Sequence, residues 1–280
     1  MSGRILLAVD LSNLLYKSCH VHSGLTSGDV FTGGLYGFML GVAVAIRKVQ
    51  ATDLVVCRDI KPYQRSLDYP AYKLIRKTAQ DPEIKELYSA SEPLVLEFIR
   101  GAGIPLWGVP GFESHDLIGY AVRHYGWRFA RIVAMSSDED LHMLLDHPHF
   151  AIYKGAKGEI ITATPEGHVT TNGVTAAEYR LALALSGTHN EVEGIAGIGD
   201  VKAAKIVKDP VKWRAYSGDH AEMIARNLSL ITLPHAKLGR QTLPTRRGCF
   251  TGRSLHRLVG HLDIDITPIM AESFEQVLNK

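Results

Sequence analysis

Six carboxylates of this sequence stand where short apolar, strand-like runs end: Asp10, Asp59, Glu113, Asp116, Asp138 and Asp140. Asp10 follows the apolar run 5–9, and Asp59 follows the run 54–58. Ligands of open α/β sheets bind beyond the carboxyl ends of the strands, so these side chains are expected to gather there. Gathered carboxylates repel one another unless a cation neutralises them. We therefore expect a divalent metal site and, with it, phosphoryl chemistry.

Mg²⁺ or Mn²⁺ suits such a set of acids, because both ions prefer oxygen ligands and often keep several waters. Asp138 and Asp140 can place two oxygens beside one ion, and Glu113 and Asp116 share one face of a helix. Each pair also has a plainer interpretation, since acids are favoured at helix N-termini and an aspartate can cap a helix. The joint occurrence of these positions at strand ends favours the metal site.

The elements that must position these acids alternate along the chain. Apolar β-branched runs predict strands at 4–9, 53–58, 103–107, 130–136 and 149–154. Amphipathic stretches predict helices at 34–50, 82–101, 114–125, 138–146 and 175–186. The fold class is therefore α/β, with a mainly parallel twisted sheet flanked by helices.

The stretch 59–81 interrupts this rhythm. It is polar, basic and aromatic, and it is too long for an ordinary connection, so we interpret it as a functional loop or lid, with a disordered insertion as the alternative. After residue 186 the strands stop, and helices are predicted at about 200–208 and 219–229, with shorter ones at 255–262 and 270–279. The segment 232–254 is loop-rich and basic.

Basic residues are concentrated locally. The whole chain of 280 residues carries a formal net charge of only +2, which does not by itself indicate a nucleic-acid partner. Segment 58–77, however, holds six basic residues against two acids, segment 202–214 holds five against one, and segment 237–257 holds six against none. These segments are the candidate contacts to a phosphate backbone.

A glycine hairpin at 194–202 places Gly194, Gly197 and Gly199 at a sharp turn between two predicted helices. Glycine lets a phosphate approach the backbone, and amides at the following helix N-terminus can bind it. Lys202 and Lys205 extend this surface along the helix, so the segment indicates sequence-independent DNA-backbone binding. The alternative is a plain turn between helices.

Three widely spaced cysteines, Cys19, Cys57 and Cys249, form neither a disulfide framework nor a zinc-ligand pattern. No apolar run approaches the ~18 residues that would indicate a membrane span. We expect a soluble protein of a reducing cytosol, without membrane contact.

Several segments carry a family resemblance in their order along the chain. Segment 8–16 reads as strand, acid and helix, and segment 33–38 combines glycines with aromatic residues. Segment 65–76 has the pattern Arg…Tyr-Pro-x-Tyr-Lys-x-x-Arg, and Ser-Asp-Glu-Asp stands at 137–140. Together with the hairpin at 194–202, these segments resemble the 5′-nuclease superfamily, which comprises flap endonucleases and phage or bacterial 5′→3′ exonucleases with a PIN-like core.

The resemblance implies a metal-dependent hydrolase that cuts DNA phosphodiesters near 5′ ends. It carries over as direct or water-mediated metal ligands Asp10, Asp59, Glu113, Asp116, Asp138 and Asp140. It places Lys73 and Arg76 at the base of a helical arch, where they stabilise charge on the scissile phosphate. It assigns DNA contacts to Tyr72, which would stack on a displaced base, and to Arg65, Lys77, Gly197, Gly199, Lys202 and Lys205.

The resemblance also implies a domain division and partners. Residues 1–186 would form the PIN-like catalytic domain with an arch insertion at about 59–90, and residues 187–280 the DNA-binding subdomain with a helix–three-turn–helix and a mostly helical C-terminal region. DNA with free 5′ ends or 5′ flaps is the expected substrate, in phage-type replication or in primer and flap removal. RNA–DNA hybrids as substrates and K⁺ at the glycine hairpin are compatible with the family. The resemblance also implies a monomer in the cytoplasm of a bacterium or of a phage-infected host.

Two departures from the family pattern stand in the acidic set. His115 replaces the first aspartate of the family's Glu-Ala-Asp-Asp, and an imidazole can ligate Mn²⁺ but suits Mg²⁺ poorly. The family's two acids before the hairpin correspond to Thr188 and Glu191 in one alignment and to Gly187 and Asn190 in another. We favour the first, which keeps Glu191 as a ligand. The second metal site is therefore expected to have fewer ligands than the family pattern provides.

These departures leave other functions open. One alternative is a non-catalytic or weakly active DNA-structure-binding homologue. Another is a PIN-type ribonuclease, against which the hairpin and the arch-like insertion argue.

Overall fold

The computed structural model describes residues 3–73, 81–155, 158–162, 173–188, 192–245 and 250–279. Its centre is a six-stranded sheet of β1 (Ile5–Asp10), β4 (Asp53–Arg58), β5 (Leu106–Gly108), β6 (Arg131–Met135), β7 (Phe150–Lys154) and β8 (Glu159–Ile161). The strand order is β5-β4-β1-β6-β7-β8; β8 is antiparallel to β7, and the other pairs are parallel. Two short hairpins lie outside it, formed by β2 (Thr26–Ser27) with β3 (Val30–Phe31) and by β9 (Gly187–Thr188) with β10 (Val192–Glu193). The expected α/β class with a mainly parallel sheet is confirmed.

Helices cover both faces of this sheet. In chain order they are α1 (Leu11–Val21), α2 (Gly33–Val49), α3 (Gln64–Asp68), α4 (Pro82–Gly101), α5 (Ser114–Tyr125), α6 (Ala176–Ser186), α7 (Asp200–Val207), α8 (Pro210–Asp219), α9 (Ala221–Ile231), α10 (Gly252–Val259) and α11 (Pro268–Leu278). Successive strand residues face opposite sides. In β1, Leu7 and Val9 therefore pack into a core shared with α1, α2 and α4, while Leu6 and Ala8 pack into a core shared with α5, α6 and α9.

Most predicted elements form close to the expected residues, and the differences have physical causes. The helix predicted at 138–146 is a 3-10 helix, Glu139–Leu144, capped by the Asp138 carboxylate. The strand predicted at 103–107 is the shorter β5, which follows Pro105, a residue without an N–H to donate. Helix α8 escaped prediction because none of its residues is buried, so it shows no apolar stripe.

The C-terminal helices α10 and α11 pack into the same hydrophobic core as α2. Phe274 of α11 packs edge-on against Phe98 of α4, with ring centroids 5.5 Å apart. Gln276 donates to the Ala51 carbonyl at 2.9 Å. The second predicted domain, 187–280, therefore contributes helices that contact the first, and the division at residue 186 stays a prediction. No helix in the described part of the chain is long and apolar enough to cross a bilayer.

Candidate metal centre and nucleic-acid interface

Ser114 holds two of the predicted acids at the edge of the sheet. β1 and β4 are neighbours, so their carboxyl ends bring Asp10 and Asp59 to the same place. The Ser114 backbone N–H donates to Asp59 Oδ1 at 2.6 Å, and its hydroxyl donates to Asp10 Oδ1 at 2.9 Å. The Ser136 hydroxyl donates to the other oxygen of Asp10 at 3.0 Å. Because α5 begins at Ser114, the start of this helix fixes the spacing of both acids.

The electrostatics of Asp10 indicate a cation site. Its side chain is 4% exposed. Burial, together with the charges of Asp59 and Asp138, raises the pKa of Asp10 to about 6. Hydrogen bonds from Ser114 and from the Asn13 backbone oppose this rise without cancelling it. Repulsion among neighbouring acids raises the pKa of one of them, and a bound cation would reduce this repulsion.

Asp138 and His115 form the next part of the site. The Asp138 carboxylate caps the 3-10 helix by accepting from the Asp140 N–H at 3.0 Å. His115 Nδ1 lies 3.4 Å from Asp138 Oδ2, and His115 Nε2 lies 3.5 Å from Glu113 Oε2. Burial alone would lower the pKa of His115, but Glu113 and Asp138 raise it well above its ordinary value. The imidazole thus bridges two acids that were both expected to be metal ligands.

Glu113 is surrounded by donors from the protein. Lys73 Nζ lies 2.5 Å from Oε1, and the Tyr72 hydroxyl donates to Oε2 at 3.0 Å. Arg65 Nη1 also donates to Oε2, at 3.2 Å. Burial alone would raise the pKa of Glu113, but Lys73, His115 and Arg65 hold it well below its ordinary value. Glu113 is therefore ionised and already neutralised by the side chains around it.

Asp116, one of the expected metal ligands, is bonded by donors of the protein in this structure. Its carboxylate is fully buried and accepts two hydrogen bonds from Arg65, at 2.5 and 2.7 Å. It also accepts from the backbone N–H groups of His235 at 2.8 Å and Glu113 at 3.3 Å. Four donors from the protein contact its two oxygens, so an ion bound directly by Asp116 would compete with them; its role as a direct or water-mediated ligand stays a prediction.

Two residues that were expected to contact DNA are buried in this structure, and their DNA contacts stay predictions. Arg65 is only 3% exposed and bonds Asp116 instead of facing solvent. Tyr72 is also 3% exposed, with its hydroxyl on Glu113, so its ring is not presented to a displaced base in this structure. The sequence predicted both residues to be exposed because the surrounding segment is polar and basic. In the structure they are buried, with Arg65 bonded to Asp116 and Tyr72 bonded to Glu113.

Lys73 has a strained backbone conformation. Its φ is 57°, in the left-handed region that non-glycine residues rarely adopt. Such conformations cost on the order of 1–3 kcal/mol and cluster at functional sites. Lys73 also forms the ion pair with Glu113. Arg76, Lys77 and Glu191 lie outside the described residues, so their expected roles stay predictions.

The second half of the acidic set faces the helical region. Asp140 lines a narrow crevice together with His115 and Thr188. Thr188, in β9, is one of the two positions where the favoured alignment expects an acid, and its hydroxyl accepts the Val192 N–H at 3.1 Å. The described residues thus bring an acid, an imidazole and a threonine together where the family pattern places a second metal.

The glycine hairpin has the expected open geometry. Gly197 has a φ of 74° and open space where a Cβ would stand, and Gly199 is the N-cap residue of α7. Lys202 and Lys205 are exposed, and Lys202 Nζ donates to the Gly197 carbonyl at 3.3 Å. The hairpin therefore offers backbone groups and two ammonium groups on one surface.

Sequence reasoning missed the small polar residues that organise the acids. Ser114, Ser136 and Asn13 each bond Asp10, and the Asn13 side chain also bonds Ser137 at 3.1 Å. Their signal was present: each stands within four residues of a predicted ligand. It was not distinctive, because serine and asparagine are common at strand and helix ends for capping alone.

A divalent ion fits one side of the cluster better than the other. The ligand atoms of Glu113, His115 and Asp116 lie within 4.8 Å of one another, yet Asp116 is saturated by protein donors. Asp10, Asp59 and Asp138 instead repel one another, as the raised pKa of Asp10 records. The carboxylate oxygens that suit Mg²⁺ or Mn²⁺ as ligands are therefore those of Asp10, Asp59 and Asp138. Glu113 and Asp140 lie next to this group.

A parallel sheet with acids at its carboxyl edge and a basic glycine hairpin beside it defines a divalent-metal nuclease of the PIN-like 5′-nuclease class. Comparison with known proteins gives the family. The family model described as 5′-3′ exonuclease, N-terminal resolvase-like domain, matches residues 5–174. The chain belongs to this family.

Individual relatives agree with this membership. A protein of Aquifex aeolicus named 5′-3′ exonuclease is 29% identical over 208 residues, covering 73% of this chain and 69% of that protein. DNA polymerase I of Mycobacterium tuberculosis is 26% identical over 211 residues. That match covers 73% of this chain but only 23% of the polymerase, so the chain spans about a quarter of the polymerase relatives.

Solved structures share the fold at lower identity. The T5 5′-exonuclease with bound zinc superposes with a TM-score of 0.69 at 17% identity, covering 99% of both chains. Flap endonuclease-1 from Methanococcus jannaschii superposes with a TM-score of 0.61 at 15% identity, covering 99% of this chain and 92% of that one. The likeness extends over the C-terminal region, for which the sequence supplied no motif.

Proposed function

We propose that this protein hydrolyses DNA phosphodiesters near 5′ ends, as a 5′→3′ exonuclease or flap endonuclease that uses Mg²⁺ or Mn²⁺. The observation that carries the proposal is the convergence of Asp10, Asp59 and Asp138 at one sheet edge, with Lys73 close by on Glu113. The names of the relatives support the same reaction class, since they include a 5′-3′ exonuclease and a flap endonuclease. A bound divalent ion would activate a water and stabilise the leaving oxygen.

Protein groups have separate roles in this proposal. Ser114 keeps Asp10 and Asp59 in register at the start of α5. Lys73, held beside the acids by Glu113, supplies positive charge for the scissile phosphate. The hairpin with Lys202 and Lys205 holds the phosphate backbone without reading bases.

The finer parts of the proposal concern ions and substrates. His115 would have to lose its proton to bind an ion, and its nitrogen would then favour Mn²⁺ over Mg²⁺ in this oxygen-rich site. We assign K⁺ to the carbonyls of the glycine hairpin, and we extend the substrates from 5′-flap DNA to RNA–DNA hybrids. The protein acts as a monomer in this scheme.

The test is cleavage of an end-labelled 5′-flap DNA in Mg²⁺ and then in Mn²⁺. The wild type should cut near the junction, and chelation of the metal should stop cutting. Asp138→Ala should lower the rate at least 100-fold, whereas Asp265→Ala, an exposed acid outside the site, should cut like the wild type. Flap binding without cutting in either metal would overturn the proposal in favour of a DNA-structure binder. Cutting of single-stranded RNA but not of flap DNA would indicate a ribonuclease instead.

A further inference from the structure

Arg65 is a buried arginine whose guanidinium is fully engaged by the protein. Its side chain is 3% exposed, and it has five N–H donors in a fixed plane. Nη1 donates to Asp116 at 2.5 Å and to Glu113 at 3.2 Å. Nη2 donates to Asp116 at 2.7 Å and to the Thr232 carbonyl at 3.4 Å, and Nε donates to the Leu230 carbonyl at 2.5 Å. Every donor therefore has an acceptor.

These acceptors belong to different parts of the chain. Arg65 itself lies in α3, ahead of Lys73, while its two carboxylate partners lie at the start of α5. The Leu230 carbonyl is in the last turn of α9, and Thr232 follows that helix. The His235 N–H donates to Asp116 at 2.8 Å and closes the network. One side chain thus joins the arch segment, the acidic edge and the end of α9.

The same helix α9 is also bonded to the base of the glycine hairpin. The buried Asn227 side chain donates to the carbonyls of Ala184 and Glu193, each at 2.9 Å. Glu193 stands directly before Gly194, where the hairpin begins. A continuous set of buried and partly buried contacts therefore runs from the hairpin through Asn227 and α9 to Arg65, and from Arg65 to Glu113.

We propose that Arg65 is a positioning residue that couples DNA held at the glycine hairpin to the placement of Glu113 in the metal centre. This inference rests on the proposed function, because it assigns the hairpin to DNA and the acids to a metal ion. Bidentate Arg–carboxylate pairing fixes direction as well as distance, and a lysine cannot reproduce it. Separating Arg65 from its carboxylate partners would leave buried charges unpaired, which costs free energy. The network therefore resists changes in its geometry.

Coupling between two sites is reciprocal, which supplies the test. A dumbbell duplex closed at both ends has no 5′ end to cut, so it occupies the hairpin without turnover. Mn²⁺ affinity is measured by calorimetry with and without the dumbbell, after subtraction of Mn²⁺ binding to the DNA alone. In the wild type the dumbbell should tighten Mn²⁺ binding at least fivefold. In Arg65→Lys that ratio should fall to less than twofold.

The matched control is Arg47→Lys, because Arg47 is an exposed arginine paired with Glu272 far from the acids. It should keep the wild-type ratio. If Arg65→Lys keeps the wild-type ratio of Mn²⁺ affinities with and without the dumbbell, the coupling is overturned. In that case Arg65 would have a structural role without linking DNA binding to Mn²⁺ binding. Equal Mn²⁺ affinity with and without the dumbbell in the wild type would overturn it as well.

A second measurement does not depend on the folding of any variant. Hydrogen exchange of segments 113–116 and 230–235 is followed in the metal-free wild type as the dumbbell is added. The His235 amide, which is bonded to Asp116, should exchange at least threefold more slowly in the complex. Unchanged exchange in both segments would overturn the proposal. Neither measurement needs cleavage, so a protein that fails to cut flap DNA would refute the proposed function while leaving this coupling to be judged on its own.

Discussion

His115→Asp reverses the charge between two carboxylates of the metal centre, and its effect can be worked out from the structure. The imidazole lies 3.4 Å from Asp138 and 3.5 Å from Glu113, so two attractive contacts become repulsive ones. Unit charges ~4 Å apart interact by ~4 kcal/mol at an effective dielectric constant of ~20. Removing one partner of a buried pair typically costs about 3–5 kcal/mol. We expect the metal-free variant to lose about 3 kcal/mol of unfolding free energy.

The same change should improve Mg²⁺ binding. An added carboxylate supplies the oxygen ligand that the family pattern has at this position, and it removes a cation that competes for Glu113 and Asp138. We expect Mg²⁺ affinity to rise at least about tenfold, which is ~1.4 kcal/mol. The preference for Mn²⁺ over Mg²⁺ should fall accordingly.

Two assays and one control decide the matter. Urea unfolding without metal and with saturating Mg²⁺ gives the stabilities, and calorimetric titration gives the affinities. His261→Asp makes the same substitution at an exposed site and should leave both quantities near wild type. If His115→Asp is as stable as wild type without metal and binds Mg²⁺ no better, the imidazole does not stand between the two acids, and the reasoning is refuted.

The remaining predictions concern the division of labour and pH. Lys73→Ala should lower single-turnover cleavage at least tenfold with little change in DNA affinity, whereas Lys202→Ala should weaken DNA binding and reduce the salt slope by about 1; equal losses of affinity alone in both variants would count against the assignment of Lys73. The raised pKa of Asp10, about 6, means that the metal-free folded protein keeps a proton there that the unfolded chain releases near its ordinary value. The Asp10 contribution to metal-free stability is therefore present at low pH and is lost as pH rises through about 6. Mn²⁺ affinity should move the opposite way, weakening as pH falls below about 6, and titrations at several pH values with Asp10→Asn as the control would show whether this dependence belongs to Asp10.

The sheet edge could be predicted because its signals are local. A run such as 5–9, apolar and ending in Asp10, specifies a buried strand and an acid at its end without reference to the rest of the chain. The burial of Arg65 could not be read in the same way. Its acceptors at Glu113, Asp116 and the end of α9 stand 48 or more positions away, and only the folded chain brings them together.

Asp116 shows that spacing alone does not reveal which groups surround an expected ligand. Glu113 and Asp116 have the i and i+3 spacing of two ligands on one helix face, and also that of a helix-start pair in which Asp116 accepts the Glu113 N–H. The sequence cannot tell these apart, because the deciding partner, Arg65, comes from another element. A buried carboxylate that meets a bidentate guanidinium becomes a support, and one that meets only other acids becomes a ligand.

The distribution of protein cations then indicates where a metal ion binds. Lys73, Arg65 and His115 all lie against Glu113, and Arg65 also neutralises Asp116. By contrast, the hydrogen bonds that Asp10 accepts from described residues come from neutral donors, Ser114, Ser136 and the Asn13 backbone, and burial together with neighbouring acids raises its pKa. The negative charge least balanced by hydrogen bonds from cationic side chains is therefore at Asp10, where β1 ends. Because His115 lies between Asp138 and Glu113, an ion bound by Asp10, Asp59 and Asp138 would compete with this imidazole for one carboxylate, so we expect the residue at position 115 to control metal binding.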